Sequence, residues 1–136
     1  MQNKALGLLG IANKGGNIEI GEDPVGYVAH QGTARLIILA SDAADHSVRR
    51  ARSYASLHDT PVVQIPENKE ELGGVFGRRS VAMLAVTEIN LAERFLGLLS
   101  EPEKYEAQIA AVREKARIMR ERKQRKPGTR GPKGKK

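Results

Sequence analysis

The chain has 136 residues, enough for one small domain, and 40 % of them are hydrophobic but only 4 % aromatic, so its core must be aliphatic. It contains no cysteine, which excludes disulfides, thiolate catalysis and cysteine-ligated metal sites. The net charge of +7 is uneven, because residues 113–136 carry a net charge of +10 and the residues before them a net charge of −3.

This charge asymmetry indicates a basic C-terminal segment that contacts a polyanion, and the alternative is a solvated tail that serves only solubility. No apolar run approaches the roughly 20 residues needed to cross a bilayer. The N-terminal residues lack the apolar segment and cleavage site of a signal peptide. We therefore expect a cytoplasmic protein with no membrane partner.

The chain begins with helices and short strands in alternation. A helix is expected over residues 4–12, and the alternating segment Ile18–Ile20 predicts a half-exposed strand. The next helix is predicted over Glu22–Gln31, because Pro24 is tolerated in a first turn and Gly32 can cap a C-terminus.

The apolar run of residues 36–40 predicts a strand that is covered on both faces. A third helix then extends to about residue 57, with Asp42 or Asp45 as its N-terminal cap. Its apolar positions at helical spacing are Val48, Ala51 and Ala55.

The alternation continues with strands over residues 62–65 and 81–86 and a short helix over residues 67–75 between them. Thr87 is expected to cap a further helix, which buries Leu91, Phe95 and Leu98.

A final helix is predicted after Ser100, which would form a capping box with Glu103. Its narrow apolar stripe consists of Tyr105, Ile109, Val112, Ala116 and Met119. No apolar side chain follows Lys126, so residues 127–136 are expected to be disordered.

Strands that alternate with helices predict an α/β fold. We expect a three-layer α/β/α sandwich with a small mixed four-stranded sheet over residues 1–99. A basic C-terminal helix over residues 100–126 and a disordered basic tail over residues 127–136 follow it.

The sequence offers no chemistry typical of an enzyme. Gly15-Gly16 and the glycine-rich residues 73–77 lack the Gly-Lys-Ser/Thr ending of a phosphate-binding P-loop. The three histidines, His30, His46 and His58, lie on different predicted elements without the spacing of metal ligands. We therefore predict that the protein is not an enzyme and that it binds no cofactor or metal.

Several segments occur in an order that is typical of one family. They are residues 8–12 (LLGIA), Gly16, Gly21-Glu22, residues 32–42 (GTARLIILASD), residues 62–66 (VVQIP), residues 71–73 (ELG), Gly77 and residues 81–86 (VAMLAV). With them the chain resembles, over residues 3–99, the kink-turn-binding ribosomal protein superfamily of the L-seven-Ae, L-thirty-e and Gadd type, and its bacterial, YlxQ-like branch. The resemblance implies the same α/β/α fold and a role as an RNA-binding ribonucleoprotein component in translation.

The resemblance also implies an RNA site at the start of the second helix and in the loop before the last strand. The residues that it assigns to this site are Gly21, Glu22, Asp23, Tyr27, Arg35, Arg78, Arg79 and Ser80. The family pattern after the glycine is an Asn-Glu pair followed by a Lys, but here Asp23, Pro24 and Tyr27 occupy those positions. An ionised aspartate only accepts hydrogen bonds, and Tyr27 replaces a phosphate contact by a stacking surface. The kink-turn site is therefore expected to be degenerate.

We further expect the loop arginines to share one surface with Gly21 and Arg35. Structural alternatives remain for these residues and for Tyr27: Gly21 could simply end a strand and start a helix, Tyr27 could pack against the first helix, Arg35 could serve solubility at a sheet edge, and Arg78-Arg79 could be a solvated turn. In the basic segment the predicted phosphate contacts are Arg117, Arg120, Arg122, Lys123, Arg125 and Lys126.

The sequence thus predicts a non-catalytic, ribosome-associated protein that binds structured RNA as a monomer. The alternative is a protein–protein adaptor of the transcription and translation machinery, in which the tail contacts an acidic partner. Transcription and translation factors are implied as partners by the resemblance alone, since the bacterial relatives are often encoded beside such factors.

Overall fold

A computed structural model of the chain describes residues 3–130, with side chains for residues 3–123. Helices and strands alternate through the first part of the chain, and two helical segments follow. In chain order the elements are α1 (Lys4–Lys14), β1 (Ile18–Ile20), α2 (Glu22–Gln31), β2 (Leu36–Leu39), α3 (Asp45–Ser56), β3 (Val62–Gln64), α4 (Lys69–Val75), β4 (Met83–Val86), α5 (Ile89–Gly97), a 3₁₀ helix (Pro102–Tyr105) and α6 (Glu106–Arg130).

The four strands form one mixed sheet in the order β1-β4-β2-β3. Strand β4 is antiparallel to both β1 and β2, and β2 is parallel to β3. The sheet therefore has one edge where β1, β2 and β3 end and β4 begins, which we call the upper edge. At the lower edge, β4 ends and the other three strands begin.

Helices cover both faces of this sheet, so the predicted three-layer α/β/α sandwich is confirmed. On one face α2 and α3 pack through Val25, Val28, Ala51 and Ala55 onto the sheet residues Ile37, Leu39, Met83 and Ala85. On the other face α1, α4, α5 and α6 enclose the larger cluster, which includes Leu9, Leu72, Phe95 and Val112. The two clusters alternate along β2 and β4, as the two-residue period of a strand requires.

Helix α6 packs along the domain through the predicted stripe. Tyr105, Val112 and Ala116 are buried, and Ile109 and Met119 are partly buried against the same cluster. The 3₁₀ helix and α6 together cover the edge strand β3, because the Tyr105 hydroxyl of the 3₁₀ helix donates to the Gln64 carbonyl at 3.0 Å and Gln108 Nε2 of α6 donates to the Val62 carbonyl at 3.0 Å. Carbonyl groups of an edge strand are otherwise free to pair with another chain, so α6 protects this edge.

The predicted helix caps were wrong at three places. Helix α3 has Ala44 at its N-cap, and the Asp42 carboxylate accepts instead from the backbone N–H of Lys69 at 2.7 Å. Helix α5 is capped by Glu88 rather than by Thr87. The predicted capping box of Ser100 and Glu103 is replaced by the 3₁₀ helix, which precedes α6.

Burial differs from the prediction on two helices. In α3 Ser47 is buried and Val48 is only partly buried. In α5 Ala92 and Leu96 are buried beside Phe95, whereas Leu98 is 39 % exposed because the helix ends at Gly97. Helix α6 continues to Arg130, past the predicted end of the basic helix, and residues 131–136 lie outside the described residues.

None of the helices within residues 3–130 is both long enough and apolar enough to cross a membrane.

Candidate nucleic-acid interface

Two of the predicted site segments meet at the upper edge of the sheet. The backbone N–H of Gly21, which follows β1, donates to the Met83 carbonyl at the start of β4, at 2.9 Å. The N–H of Ala40, which follows β2, donates to the Ala82 carbonyl at 3.0 Å. The start of α2 and the loop before β4 are therefore neighbours, as the resemblance implies.

Gly21 has a backbone conformation that favours glycine. Its φ is 102° and its ψ is 161°, a region that side chains with a Cβ rarely enter. This conformation turns the chain from β1 directly into α2, and no side chain caps the helix start. The N–H groups of Glu22 and Asp23 and the helix dipole favour an anion at this end of α2, whereas Pro24 has no N–H and the exposed carboxylate of Asp23 opposes an anion.

The side chain of Glu22 connects α2 to α3. Its carboxylate accepts a hydrogen bond of 2.6 Å from the hydroxyl of Ser47, which is buried. Arg50 Nη1 lies 3.4 Å from the same carboxylate, and His46 Nε2 lies 3.8 Å from it. Glu22 therefore fixes the start of α2 in place, and it brings Arg50 and His46 beside the predicted site.

Arg50 and His46 are residues that the sequence argument did not assign to the site. They stand four positions apart on α3, and a polar pair at this spacing shares one face of a helix. The spacing was visible in the sequence, but the packing of α3 against α2 was not.

The loop before β4 is anchored at both ends. Gly77 has a φ of 69°, the N–H of Arg78 donates to the Gly73 carbonyl at 2.9 Å, and the N–H of Val81 donates to the Lys69 carbonyl at 2.9 Å. The side chains of Arg78, Arg79 and Ser80 are all exposed. A backbone held by hydrogen bonds thus presents two guanidinium groups to solvent at the upper edge.

Gly73 in α4 is the residue against which this loop packs. A Cβ at Gly73 would lie 2.8 Å from the Arg78 carbonyl oxygen and 2.8 Å from the Ser80 Cα. Both neighbours are backbone atoms and cannot rotate away. The position of the loop therefore depends on the absence of a side chain at Gly73.

Tyr27 lies on the outer face of α2, one turn after Asp23. Its side chain is 67 % exposed, and Asp23 is exposed as well. The alternative that Tyr27 packs against the first helix was therefore wrong. An exposed aromatic ring next to a helix start provides a surface for base stacking.

Arg35 does not join this surface. Its backbone N–H donates to the carbonyl of Val86, the last residue of β4, so Arg35 lies at the lower edge. The expectation that Arg35 shares one surface with Gly21, Arg78 and Arg79 was wrong. The physical reason is that β2 runs parallel to β1, so the start of β2 and the end of β1 are at opposite edges.

Two of the predicted tail contacts already bind carboxylates. Arg117 forms ion pairs of 2.6 Å with both Glu114 and Glu121, and Arg120 forms one of 2.6 Å with Glu93. The hydrogen bond from Arg117 lowers the pKa of Glu114 below its ordinary value. Arg122 and Lys123 are exposed, whereas the side chains of Arg125 and Lys126 lie outside the described ones. Among the predicted phosphate contacts with described side chains, Arg122 and Lys123 are therefore the exposed cations without an ion pair.

Within the described residues, no group of three His, Asp or Glu side chains is placed to hold a metal ion. One groove in the described part of the chain does not include the residues of the upper-edge site. It lies between the start of α1 and the end of α5 and is lined by Lys4, Phe95, Leu98, Leu99 and Tyr105 among others.

Comparison with known proteins gives matches over most of the chain. The model of the ribosomal protein L7Ae/L30e/S12e/Gadd45 family matches residues 3–95. The RNA-binding protein YlxQ of Bacillus subtilis (strain 168) is 27 % identical over 92 residues, which cover 68 % of this chain and 91 % of YlxQ.

Two solved structures have the same fold. A protein with unknown function from Bacillus halodurans C is 26 % identical, with a TM-score of 0.66, and the match covers 71 % of this chain and 97 % of that one. The 15.5kD RNA binding protein of Giardia lamblia is 22 % identical, with a TM-score of 0.60, and the match covers 76 % of this chain and 85 % of that one. At 22 % identity, the similarity to the Giardia protein shows a shared fold and nothing about function.

Proposed function

Because the chain belongs to the ribosomal protein L7Ae/L30e/S12e/Gadd45 family, we propose that it is a non-catalytic protein that binds structured RNA through the upper edge of its sheet. The similarity to the RNA-binding protein YlxQ supports this proposal. The interface consists of the start of α2, with Gly21, Asp23 and Tyr27, and of the loop residues Arg78, Arg79 and Ser80.

The observation that carries the proposal is the anchored loop beside the open helix start. Gly21 and the loop are joined through the first residues of β4, so the start of α2 and the loop that carries two exposed guanidinium groups lie at the same edge of the sheet. Guanidinium groups bind phosphate oxygens with paired hydrogen bonds, and an anchored loop loses little conformational entropy on binding. Such a surface suits the sugar–phosphate backbone of a bent or irregular RNA.

The same surface lacks features that a kink-turn site needs. Asp23 accepts but does not donate hydrogen bonds when ionised, and its charge repels nearby phosphates. Pro24 has no side-chain polar group, and Tyr27 carries no positive charge. We infer that the kink-turn site is degenerate and that stacking on Tyr27 replaces part of the lost polar recognition.

The end of α6 and the residues after it add affinity without sequence specificity. Residues 121–136 hold eight basic side chains and one acidic side chain. Contacts between such a segment and phosphates release counterions, so the affinity for RNA should fall steeply with salt. We propose that the protein is a cytoplasmic monomer and that the upper-edge interface and this basic segment together support its association with ribosomal RNA.

The test is the double variant Arg78→Ala with Arg79→Ala, measured by fluorescence anisotropy against a structured RNA. RNA affinity should fall more than in the control variant Lys135→Ala with Lys136→Ala, which removes the same charge from the tail. Stability should change little in both variants, because Arg78 and Arg79 are exposed. Equal losses of affinity in the two variants would contradict an RNA site on the domain. That result would favour the adaptor of the transcription and translation machinery instead.

A further inference from the structure

Three segments converge on Arg35 at the lower edge of the sheet. Arg35 Nη1 donates to the Gly32 carbonyl at 3.3 Å, and a Cβ at Gly32 would lie 3.3 Å from the ring of His58. Lys115 of α6 reaches the same turn, where its Nζ donates to the carbonyl of Asp59 at 2.6 Å and to that of His58 at 3.3 Å. We call this group of Arg35, His58, Asp59 and Lys115 the lower-edge corner.

The two cations of the corner differ from Arg117 and Arg120 of α6, which form ion pairs. Within the described residues, no ion pair involves Arg35 or Lys115. Lys115 donates to neutral carbonyls, and Arg35 Nε is buried without a hydrogen-bond acceptor in the described structure. A buried guanidinium nitrogen without an acceptor is costly, and because Nε itself is closed to solvent, an anion can reach Arg35 only through the terminal nitrogens of its guanidinium group.

The charges at the corner also repel one another. Burial lowers the pKa of Lys115 below its ordinary value, the nearby charge of Arg35 lowers it further, and only the Asp59 carboxylate opposes these effects. The corner therefore holds the two positive charges of Arg35 and Lys115 and the one negative charge of Asp59. A bound anion would relieve the repulsion between Arg35 and Lys115.

Helix α6 carries further basic residues beyond Lys115. Arg122 stands seven positions after Lys115, which is about two helical turns and places both on the same side of α6. The side chains of Arg122 and Lys123 are exposed. Further exposed basic residues thus follow the corner along α6.

We propose that the lower-edge corner binds a phosphodiester group of RNA, as a second contact separate from the upper-edge interface. The phosphate oxygens accept hydrogen bonds from the Arg35 guanidinium and lie within reach of the Lys115 ammonium. An RNA that contacts the basic residues of α6 would then also contact the folded domain at the corner, where the position of the phosphate is fixed. This inference rests on the proposed RNA-binding function and adds a second site to it.

The first experiment measures RNA affinity of the full chain as a function of salt. Arg35→Gln removes one cation of the corner, and Arg113→Gln is the matched control, because Arg113 is exposed on the same helix as Lys115. We expect Arg35→Gln to weaken binding about tenfold and to reduce the salt slope by about 0.7 to 0.9, the value for one lost phosphate contact. The control should change the affinity much less. Equal effects of the two variants would overturn the proposal.

The second experiment observes the corner directly by NMR, with inorganic phosphate and with a short RNA hairpin as probes. Both probes should shift the amide signals of His58 and Asp59, and the RNA should raise the pKa of the Lys115 ammonium. In Arg35→Gln these changes should be lost while the protein remains folded. Signals that do not respond to the RNA hairpin would contradict a site at the corner.

The two proposals fail in different ways. If Arg78→Ala with Arg79→Ala weakens RNA binding and Arg35→Gln does not, the upper-edge interface stands and the lower-edge corner is refuted. If neither set of substitutions weakens binding beyond its control, both are refuted. Losses from both sets that add in the combined variant would support two separate RNA contacts.

Discussion

The substitution Gly73→Ala tests how the anchored loop is held. A Cβ at this position would lie 2.8 Å from the Arg78 carbonyl oxygen, 2.8 Å from the Ser80 Cα and 2.9 Å from the Ser80 nitrogen. All three atoms belong to the backbone of the loop, so the loop must move. The displacement should carry the Arg78 and Arg79 side chains away from the start of α2.

The size of the effect follows from two opposing contributions. An extra methyl group in a closely packed place costs about 1–3 kcal/mol. Replacing glycine by alanine within a helix contributes up to about 1 kcal/mol of stability. Gly74→Ala is the matched control, because it changes the next residue of α4 in the same way and its Cβ would meet no atom within 4 Å. The difference between the two variants therefore isolates the steric cost of about 1–3 kcal/mol.

Urea unfolding measures the stability of both variants, and anisotropy with a structured RNA measures their affinity. We expect Gly74→Ala to be as stable as the wild type or slightly more stable, with unchanged RNA affinity. Gly73→Ala should be less stable than Gly74→Ala and should bind RNA more weakly. If the two variants have the same stability and the same affinity, the loop does not depend on Gly73 and the reasoning is refuted.

Three further predictions concern recognition, the tail and the edge strand. Restoring the family pattern with Asp23→Asn, Pro24→Glu and Tyr27→Lys should raise affinity for a kink-turn RNA by about 1–3 kcal/mol in gel-shift titrations, and a wild-type chain that already prefers the kinked RNA a hundredfold would refute the idea of a degenerate site. Removing residues 124–136 should leave the melting temperature nearly unchanged and reduce the salt dependence of RNA binding. Removing residues 113–136 also deletes the buried Ala116 and should therefore lower the melting temperature clearly. Burial raises the pKa of Tyr105 in the folded protein above its ordinary value of about 10. The neutral hydroxyl therefore contributes its full stabilisation below the pKa of the unfolded chain, and this contribution is lost as the pH rises through the pKa of the folded protein. Tyr105→Phe should cost about 0.5–1.5 kcal/mol at neutral pH and weaken that pH dependence in urea unfolding, and an unchanged pH dependence would contradict it.

Local signals in the sequence predicted much of the fold. The bounds of α2 agree with the prediction because Pro24 in the first turn and Gly32 at the C-terminus act within a few residues, and Gly32 does adopt the left-handed conformation, with a φ of 77°. The buried strands β2 and β4 were recognised from uninterrupted apolar runs.

Long-range contacts account for most of the differences. Aspartate is a common N-cap residue, but the Asp42 carboxylate accepts a hydrogen bond from the backbone N–H of Lys69, which is 27 positions later in the chain. Arg35 was assigned to the wrong edge because the strand order, and hence the edge at which a strand begins, depends on pairing between distant segments. The pairing of Arg117 and Arg120 with glutamates likewise depends on side-chain geometry that charge counts do not contain.

The most direct measurement of the central claim is ultraviolet crosslinking in cells, followed by recovery of the protein and mass spectrometry of its crosslinked peptides. RNA should dominate the captured material, and crosslinks should map to the peptides that contain Tyr27 and the Arg78-Arg79 loop. Capture of mainly protein partners, or crosslinks confined to residues after Arg120, would contradict an RNA interface at the upper edge of the sheet.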